Sequence, residues 1–158
     1  MLVFRSAIAD WNQVPSGSMQ PTILIGDRIV VDKLAYDLRI PFTLRRLARW
    51  HDPERGDVVT FPSPKDEQLL VKRIVGIPGD VVSLQDNVLT INGEKARYRT
   101  LEGEAVPPGA IAGPYPFRFL SESILGSNRM IMLEPGDLVS GVTSFGPVTV
   151  PEGQYLML

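Results

Sequence analysis

The stretch Leu69-Leu70-Val71-Lys72-Arg73-Ile74-Val75-Gly76-Ile77-Pro78-Gly79-Asp80-Val81-Val82 decides the fold. Its first half is a short apolar run rich in β-branched residues, which predicts a central strand over Leu69 to Val75. Gly76-Ile77-Pro78-Gly79 closes it with turn chemistry, and Gly79-Asp80 opens the next run, Val81-Val82. The same Gly-Asp device stands at Gly26-Asp27 before Ile29-Val30-Val31, at Gly56-Asp57 before Val58-Val59-Thr60, and at Gly136-Asp137 before Leu138-Val139. Glycine supplies the positive φ of a tight turn and aspartate bonds back to nearby amides. The spacing is irregular, so this is repeated turn chemistry and not a solenoid repeat. The fold class that follows is mainly β, with few short helices.

Working outward, Val88-Leu89-Thr90-Ile91-Asn92-Gly93-Glu94 carries the Asn-Gly signal of a hairpin with a type I′ turn. The segment Thr43 to Trp50 is the one helix the sequence suggests, capped by Thr43 with Leu44, Leu47 and Ala48 on one face. From about Tyr98 to Phe119 the composition shifts to Gly, Pro and Glu and reads as an irregular excursion. Ser144-Phe145-Gly146-Pro147 reads as the way back. The expected organisation is a core of residues 1–82 plus 147–158, with a β-rich insertion over 83–146.

Composition narrows the chemistry. Glycine and proline number 14 each in 158 residues, about 18% against the usual ~12%, which fits a turn-rich β chain. With 16 basic and 18 acidic residues the net charge is −2, so no global field draws the chain to nucleic acid. Zero cysteines exclude disulfides, thiolate metal sites and a cysteine nucleophile. A single histidine, His51, excludes multi-histidine metal sites. No apolar run approaches the ~20 residues of a spanning helix.

Chemistry concentrates at Val14-Pro15-Ser16-Gly17-Ser18-Met19-Gln20-Pro21-Thr22. Two prolines stiffen a loop that presents two serines around a glycine. Such a loop suits a serine nucleophile, and it equally suits a plain turn. A nucleophilic serine needs a base. His51 sits in a basic, polar stretch that reads as a surface turn, and Asp27 and Asp57 are explained by turn bonding. Among the lysines, Lys33, Lys65 and Lys95 adjoin acids. Lys72 alone lies inside an apolar strand, where alternation puts Leu70, Lys72 and Ile74 on one face. Two readings of Lys72 stand: a desolvated general base, or an edge-strand lysine that blocks aggregation.

Taken together and in order, these residues resemble bacterial type I signal peptidases, membrane-bound serine proteases that remove signal peptides. Pro15 to Thr22, continued by Ile25-Gly26-Asp27, is similar to the family's nucleophile box. Arg55-Gly56-Asp57-Val58-Val59 resembles the next box, and Lys72 to Asp80 the lysine box. Val150-Pro151-Glu152-Gly153-Gln154-Tyr155 resembles the strand that returns into the core. The resemblance implies a signal-peptidase-like β-rich catalytic core in which Ser18 is the nucleophile and Lys72 the general base. The Ser16 hydroxyl and the Ser18 backbone N–H would form the oxyanion hole. Val14, Met19, Ile23 and Val71 match positions beside a shallow pocket for small residues, and all four are equally at home as plain core. It further implies no metal and no cofactor, with signal-peptide-bearing preproteins as substrates.

The implied location is the bacterial inner membrane, with the catalytic domain on the periplasmic, extracytoplasmic side. The family begins with a spanning helix, of which Met1 to about Ala9 would be a stub. It continues after a segment like Gln154 to Leu158 with a Gly-Asp-Asn-Arg-Asp-type box, which supplies a serine that positions the lysine. The expectation is therefore a piece of such a peptidase. The basic segment Lys33 to Arg55, with Trp50, reads either as a contact for anionic lipid headgroups or as a solvated face. Two other functions remain in view. One is a related Ser/Lys autoprotease of the SOS-repressor kind, though the chain has no helix-turn-helix pattern. The other is a non-catalytic fragment that binds extended peptides or a membrane surface.

Overall fold

A computed structural model describes residues 9–39, 46–102, 117–133 and 142–158. Every regular element among them is a strand. The strand expected over 69–75 is β6 (Leu69–Gly76), and it is central, between β5 (Val58–Pro62) and β14 (Leu156–Met157). A four-stranded sheet in the order β13-β7-β8-β9 follows, made of β7 (Val81–Gln85), β8 (Val88–Ile91), β9 (Glu94–Lys95) and β13 (Phe145–Thr149). A third sheet is the meander β10 (Arg97–Leu101), β11 (Arg118–Ile124) and β12 (Ser127–Leu133). Two ribbons complete the set: β1 (Ala9–Gln13) with β2 (Arg28–Asp32), and β3 (Asp37–Arg39) with β4 (Arg46–Arg49). All pairings are antiparallel.

The Gly-Asp turns are one local structure used three times. Gly26, Gly56 and Gly79 all have positive φ, at 91°, 102° and 88°. In each turn the aspartate N–H donates to the carbonyl three residues back, from Asp27 to Leu24, Asp57 to Glu54 and Asp80 to Ile77. Each carboxylate then accepts the N–H of that same residue, at 2.8, 2.9 and 2.8 Å. Pro78 precedes Gly79 where its fixed φ suits such a turn. The fourth Gly-Asp, at 136–137, lies outside the described residues. The Asn92-Gly93 turn has both φ values positive, at 51° and 82°, as type I′ requires.

The main core gathers Val75, Val82, Leu84, Leu89, Ile91, Ala96, Ile124 and Val150, so it draws on both stretches of the expected division. The boundaries expected near 82 and 146 fall inside β7 and β13, which pair with each other. Gly76 sits where β6 meets this core. A Cβ there would lie 2.8 Å from Val82 Cγ2 and 3.0 Å from Val150 Cγ2.

Three expectations need correction. The helix over 43–50 is not formed in its described part, since Arg46–Arg49 is β4, paired with β3; residues 43–45 lie outside the described set. So short a helix cannot stabilise itself, and pairing satisfies the backbone instead. The excursion over 98–119 begins and ends in strand, β10 and β11, with residues 103–116 outside the description. The returning strand expected over 150–155 forms at Leu156–Met157. Val150 is instead a buried core residue, and a turn around positive-φ Gly153 intervenes.

Candidate active site

The serine loop spans the gap between β1 and β2. Its ends are clamped by Val14 N–H to the Asp27 carbonyl and Gly26 N–H to the Val14 carbonyl, both 2.9 Å. Within it, Gln20 N–H reaches the Gly17 carbonyl at 2.9 Å and Ile23 N–H the Met19 carbonyl at 3.0 Å. These bonds fold Ser18 and Met19 into a tight turn, and the Gln20–Pro21 peptide is cis. Val14, Met19 and Pro21 are buried and anchor the loop, whereas Ser16 and Ser18 are exposed. Among the described residues, the Ser18 N–H makes no backbone hydrogen bond. What crowds Gly17 is the end of a side chain, not a backbone. A Cβ would meet Gln20 Oε1 at 2.9 Å.

The three sequence boxes meet through Arg73. Its Nη1 donates to the Gly56 carbonyl at 2.7 Å and its Nη2 to Thr22 Oγ1 at 3.4 Å, across 51 positions. Backbone bonds add Gly56 N–H to the Ile74 carbonyl (2.8 Å) and Ile74 N–H to the Asp57 carbonyl (2.9 Å). Asp57 also accepts the Tyr36 hydroxyl at 2.6 Å. Burial first, and then this bond to a carboxylate, push the Tyr36 hydroxyl well above its ordinary pKa.

Ser18, Met19, Gln20 and Thr22 form one wall of a cavity of about 330 Å³, which Arg73 and Leu158 also line. β12 also lines it, with Met130 to Leu133, as do the ion-paired Glu122 and Arg129. Lys72 does not line it. Lys72 is half-buried on β6 opposite Val59, and alternation sends its side chain away from the face of Arg73. No hydrogen bond joins Lys72 to Ser18 among the described residues. Val71 and Ile23 are half-buried, and His51 is exposed beyond β4. The structure therefore brings Ser18, Met19 and Arg73 to one cavity. It leaves Val14, Ser16, Ile23, Val71 and Lys72 outside its lining. Sequence reasoning passed over Arg73, although alternation from Lys72 already assigns it to the opposite face. Among the described residues no cluster of His, Cys, Asp and Glu could hold a metal ion.

Among the described residues the fold is built of strands alone, and a proline-bracketed serine turn lines its cavity. Over residues 1–158 the sequence matches the family described as "Signal peptidase, peptidase S26", and the chain belongs to that family. It is 43% identical over 106 residues to Signal peptidase I of Pseudomonas fluorescens, covering 66% of this chain and 37% of the relative. Signal peptidase I of Pseudomonas aeruginosa is 43% identical over 113 residues, 70% of this chain and 40% of the relative. Signal peptidase I of Rickettsia typhi is 34% identical over 175 aligned positions, 99% of this chain and 63% of the relative. The chain thus spans less than two thirds of these relatives. No helix among the described residues is long and apolar enough to cross a membrane.

Proposed function

We propose that this chain is the catalytic part of a serine endopeptidase that removes signal peptides from exported preproteins at the bacterial inner membrane, on its extracytoplasmic side. The observation that carries the reading is the Arg73 clasp, which gathers the three family boxes and leaves Ser18 exposed on a cavity wall. In the proposed mechanism Ser18 Oγ attacks the scissile carbonyl carbon while the Lys72 amine takes the hydroxyl proton. The oxyanion is held by the Ser16 hydroxyl and the Ser18 N–H, and one such donor is typically worth about 10²–10³ in rate. The C–N bond breaks as Lys72 returns that proton to the leaving amine. Water, deprotonated by Lys72, then hydrolyses the Ser18 ester. Val14, Met19, Ile23 and Val71 form the apolar surroundings of the small side chains before the scissile bond. The dyad needs Ser18 Oγ and Lys72 Nζ within ~2.6–3.2 Å, and because Lys72 lies outside the cavity that Ser18 lines, substrate binding has to bring the two together.

The test is cleavage of a small preprotein bearing an Ala-x-Ala site, in detergent, with products read by mass spectrometry. Cleavage after the second alanine is expected from the unaltered chain and from His51→Ala. Ser18→Ala and Lys72→Ala are expected to fall to background. A loss confined to His51→Ala overturns the dyad, and no cleavage by the unaltered chain overturns activity for this length of sequence.

A lipid surface is the second proposed partner. Trp11 and Val30 stand directly opposite across β1 and β2 and are 42% and 75% exposed. Leu47 and Trp50 are also exposed, and Lys33 and Arg49 are near them in sequence. Exposed tryptophan with cations suits an anionic headgroup layer. Tryptophan emission should shift to the blue with vesicles of anionic lipid, and co-sedimentation with those vesicles should fall in a Trp11→Ser/Trp50→Ser variant.

A further inference from the structure

The Asn92-Gly93 turn between β8 and β9 carries chemistry of its own. In water an Asn-Gly pair rearranges without an enzyme. The backbone nitrogen after the asparagine loses its proton and attacks the side-chain Cγ. The Cγ–Nδ2 bond breaks, and ammonia leaves with that proton. Water then opens the cyclic imide to aspartate or isoaspartate. A glycine nitrogen closes the ring most readily because no Cβ crowds it. Asn92 is the only asparagine in the sequence that a glycine follows. Both turn residues are exposed to the water that the last step consumes.

Two bonds oppose the first step. Asn92 Oδ1 accepts the Val81 N–H, and Asn92 Nδ2 donates to Asp80 Oδ1, both at 2.8 Å. The amide has one workable orientation, since the N–H requires an acceptor and the carboxylate a donor. Both ends of the side chain are thus tied to the start of β7, and Cγ cannot swing onto the Gly93 nitrogen until the ties part. Asp80 is itself fixed by Arg55 Nη2 at 2.6 Å and the Ile77 N–H at 2.8 Å, and it is buried.

The product cannot remake this arrangement. An ionised carboxylate at position 92 only accepts, so it meets the buried Asp80 with no proton to donate and with like charge. Isoaspartate also adds a backbone carbon to a turn whose length sets the pairing of Ile91 with Glu94.

We propose that Asn92 is a deamidation site gated by its bonds to Asp80 and Val81. The side chain reacts only from a locally opened turn, and the acid it becomes holds that turn open. Conversion is therefore a one-way change at the junction of the Arg55, Asp80 and Asn92 turns.

The test ages the full chain beside an acetylated, amidated peptide of residues 89–95 at the same mildly alkaline pH. Mass spectrometry follows conversion at Asn92 in both. Hydrogen exchange on the unaged chain reads the same opening at the Val81 amide, which Asn92 Oδ1 holds. Conversion in the chain should be slower than in the peptide by at least about tenfold, equivalent to about 1.4 kcal/mol. The Val81 amide should be protected by the same factor, to within about tenfold. Conversion as fast as in the peptide, or slowing that departs from the Val81 factor by more than that margin, overturns the gate. Converted chains, separated by their extra negative charge, should show faster Val81 exchange and a lower urea midpoint than unconverted ones. Asn92→Asp, which isolates the aspartate product, should do the same. Unchanged Val81 exchange in the converted chains overturns the one-way opening.

Discussion

Arg55 Nη2 and Asp80 Oδ2, 25 positions apart in the chain, lie 2.6 Å from each other and join two Gly-Asp turns. Asp80 is 5% exposed and makes two further kinds of bond. Its Oδ2 takes the Ile77 N–H, and its Oδ1 takes the Asn92 side-chain amide at 2.8 Å. Asn92 in turn accepts the Val81 N–H through its own side-chain oxygen. One carboxylate thus ties the Arg55 turn, its own turn and the Asn92-Gly93 hairpin together.

Acid should loosen that knot. Burial pushes the Asp80 carboxyl up, but Arg55, the Ile77 amide and Asn92 together outweigh it and hold the group below its usual range. A carboxyl depressed in the folded state stabilises above its unfolded pKa of about 3.9, and that stability is lost as pH falls through the folded value. Asp80→Asn should therefore cost about 2–3 kcal/mol at pH 7. The gap from the unaltered chain should hold constant down to about pH 5 and shrink below pH 4. Urea unfolding at a series of pH values reads this, and a gap independent of pH refutes it.

Gly76 offers a test of packing alone. Its φ is not in the left-handed region, so an alanine meets no backbone penalty there. The penalty is space, because the added Cβ meets branched methyls of Val82 and Val150 and, at 3.3 Å, Leu156 Cβ. Val82 and Val150 are buried and cannot swing away. Gly76→Ala should lower stability by about 1–3 kcal/mol. Gly76→Ala combined with Val82→Ala should cost less than the sum of the two single variants, as measured by denaturant midpoints.

The parts of the fold legible in sequence are those with local causes. The Gly-Asp turns could be read because turn and carboxylate bond lie within four residues. The strand over 69–76 could be read because a β-branched run needs no partner to be recognised. The segment over 43–50 reads as a helix because Leu44, Leu47 and Ala48 fit a helical face as well as a ribbon, and the pairing of Arg46–Arg49 with β3 is not local. The candidate site divides in the same way. The loop carrying Ser18 announces itself by its prolines. Arg73 acquires its role only when Thr22 and Gly56 fold onto it, and nothing in its immediate neighbours says so.

One turn shows the limit from the other side, and it carries a prediction. Leu125 and Gly126 join β11 to β12, with Ile124 opposite Ser127, and both have positive φ, at 48° and 75°. Leucine is a poor turn residue, so the sequence gives no hint of it. A left-handed backbone costs most L-residues about 1–2 kcal/mol, and asparagine less. Leu125 is 38% exposed, so little packing is lost on its replacement. Leu125→Asn should raise stability by about 0.5–1 kcal/mol. A thermal midpoint that falls would show that Leu125 has a packing role outweighing its strain.

The Glu122–Arg129 pair tests whether the cavity's charges act as a unit. Glu122 is 3% exposed and holds Arg129 Nε on one oxygen and the Tyr98 hydroxyl on the other. Tyr98 completes the chain by accepting the Leu89 N–H at 3.0 Å. Burial, and the charge of Glu122 beside it, push the Tyr98 hydroxyl far above its ordinary pKa, so it remains a donor. Removing either charged partner alone leaves the other desolvated. Glu122→Gln and Arg129→Gln should each cost about 3 kcal/mol. The double variant should cost well under the sum, because no unpaired charge remains. Tyr98→Phe removes only neutral donor and acceptor functions and should cost about 1–2 kcal/mol. Additive losses in the two charged variants would mean that water already reaches the pair.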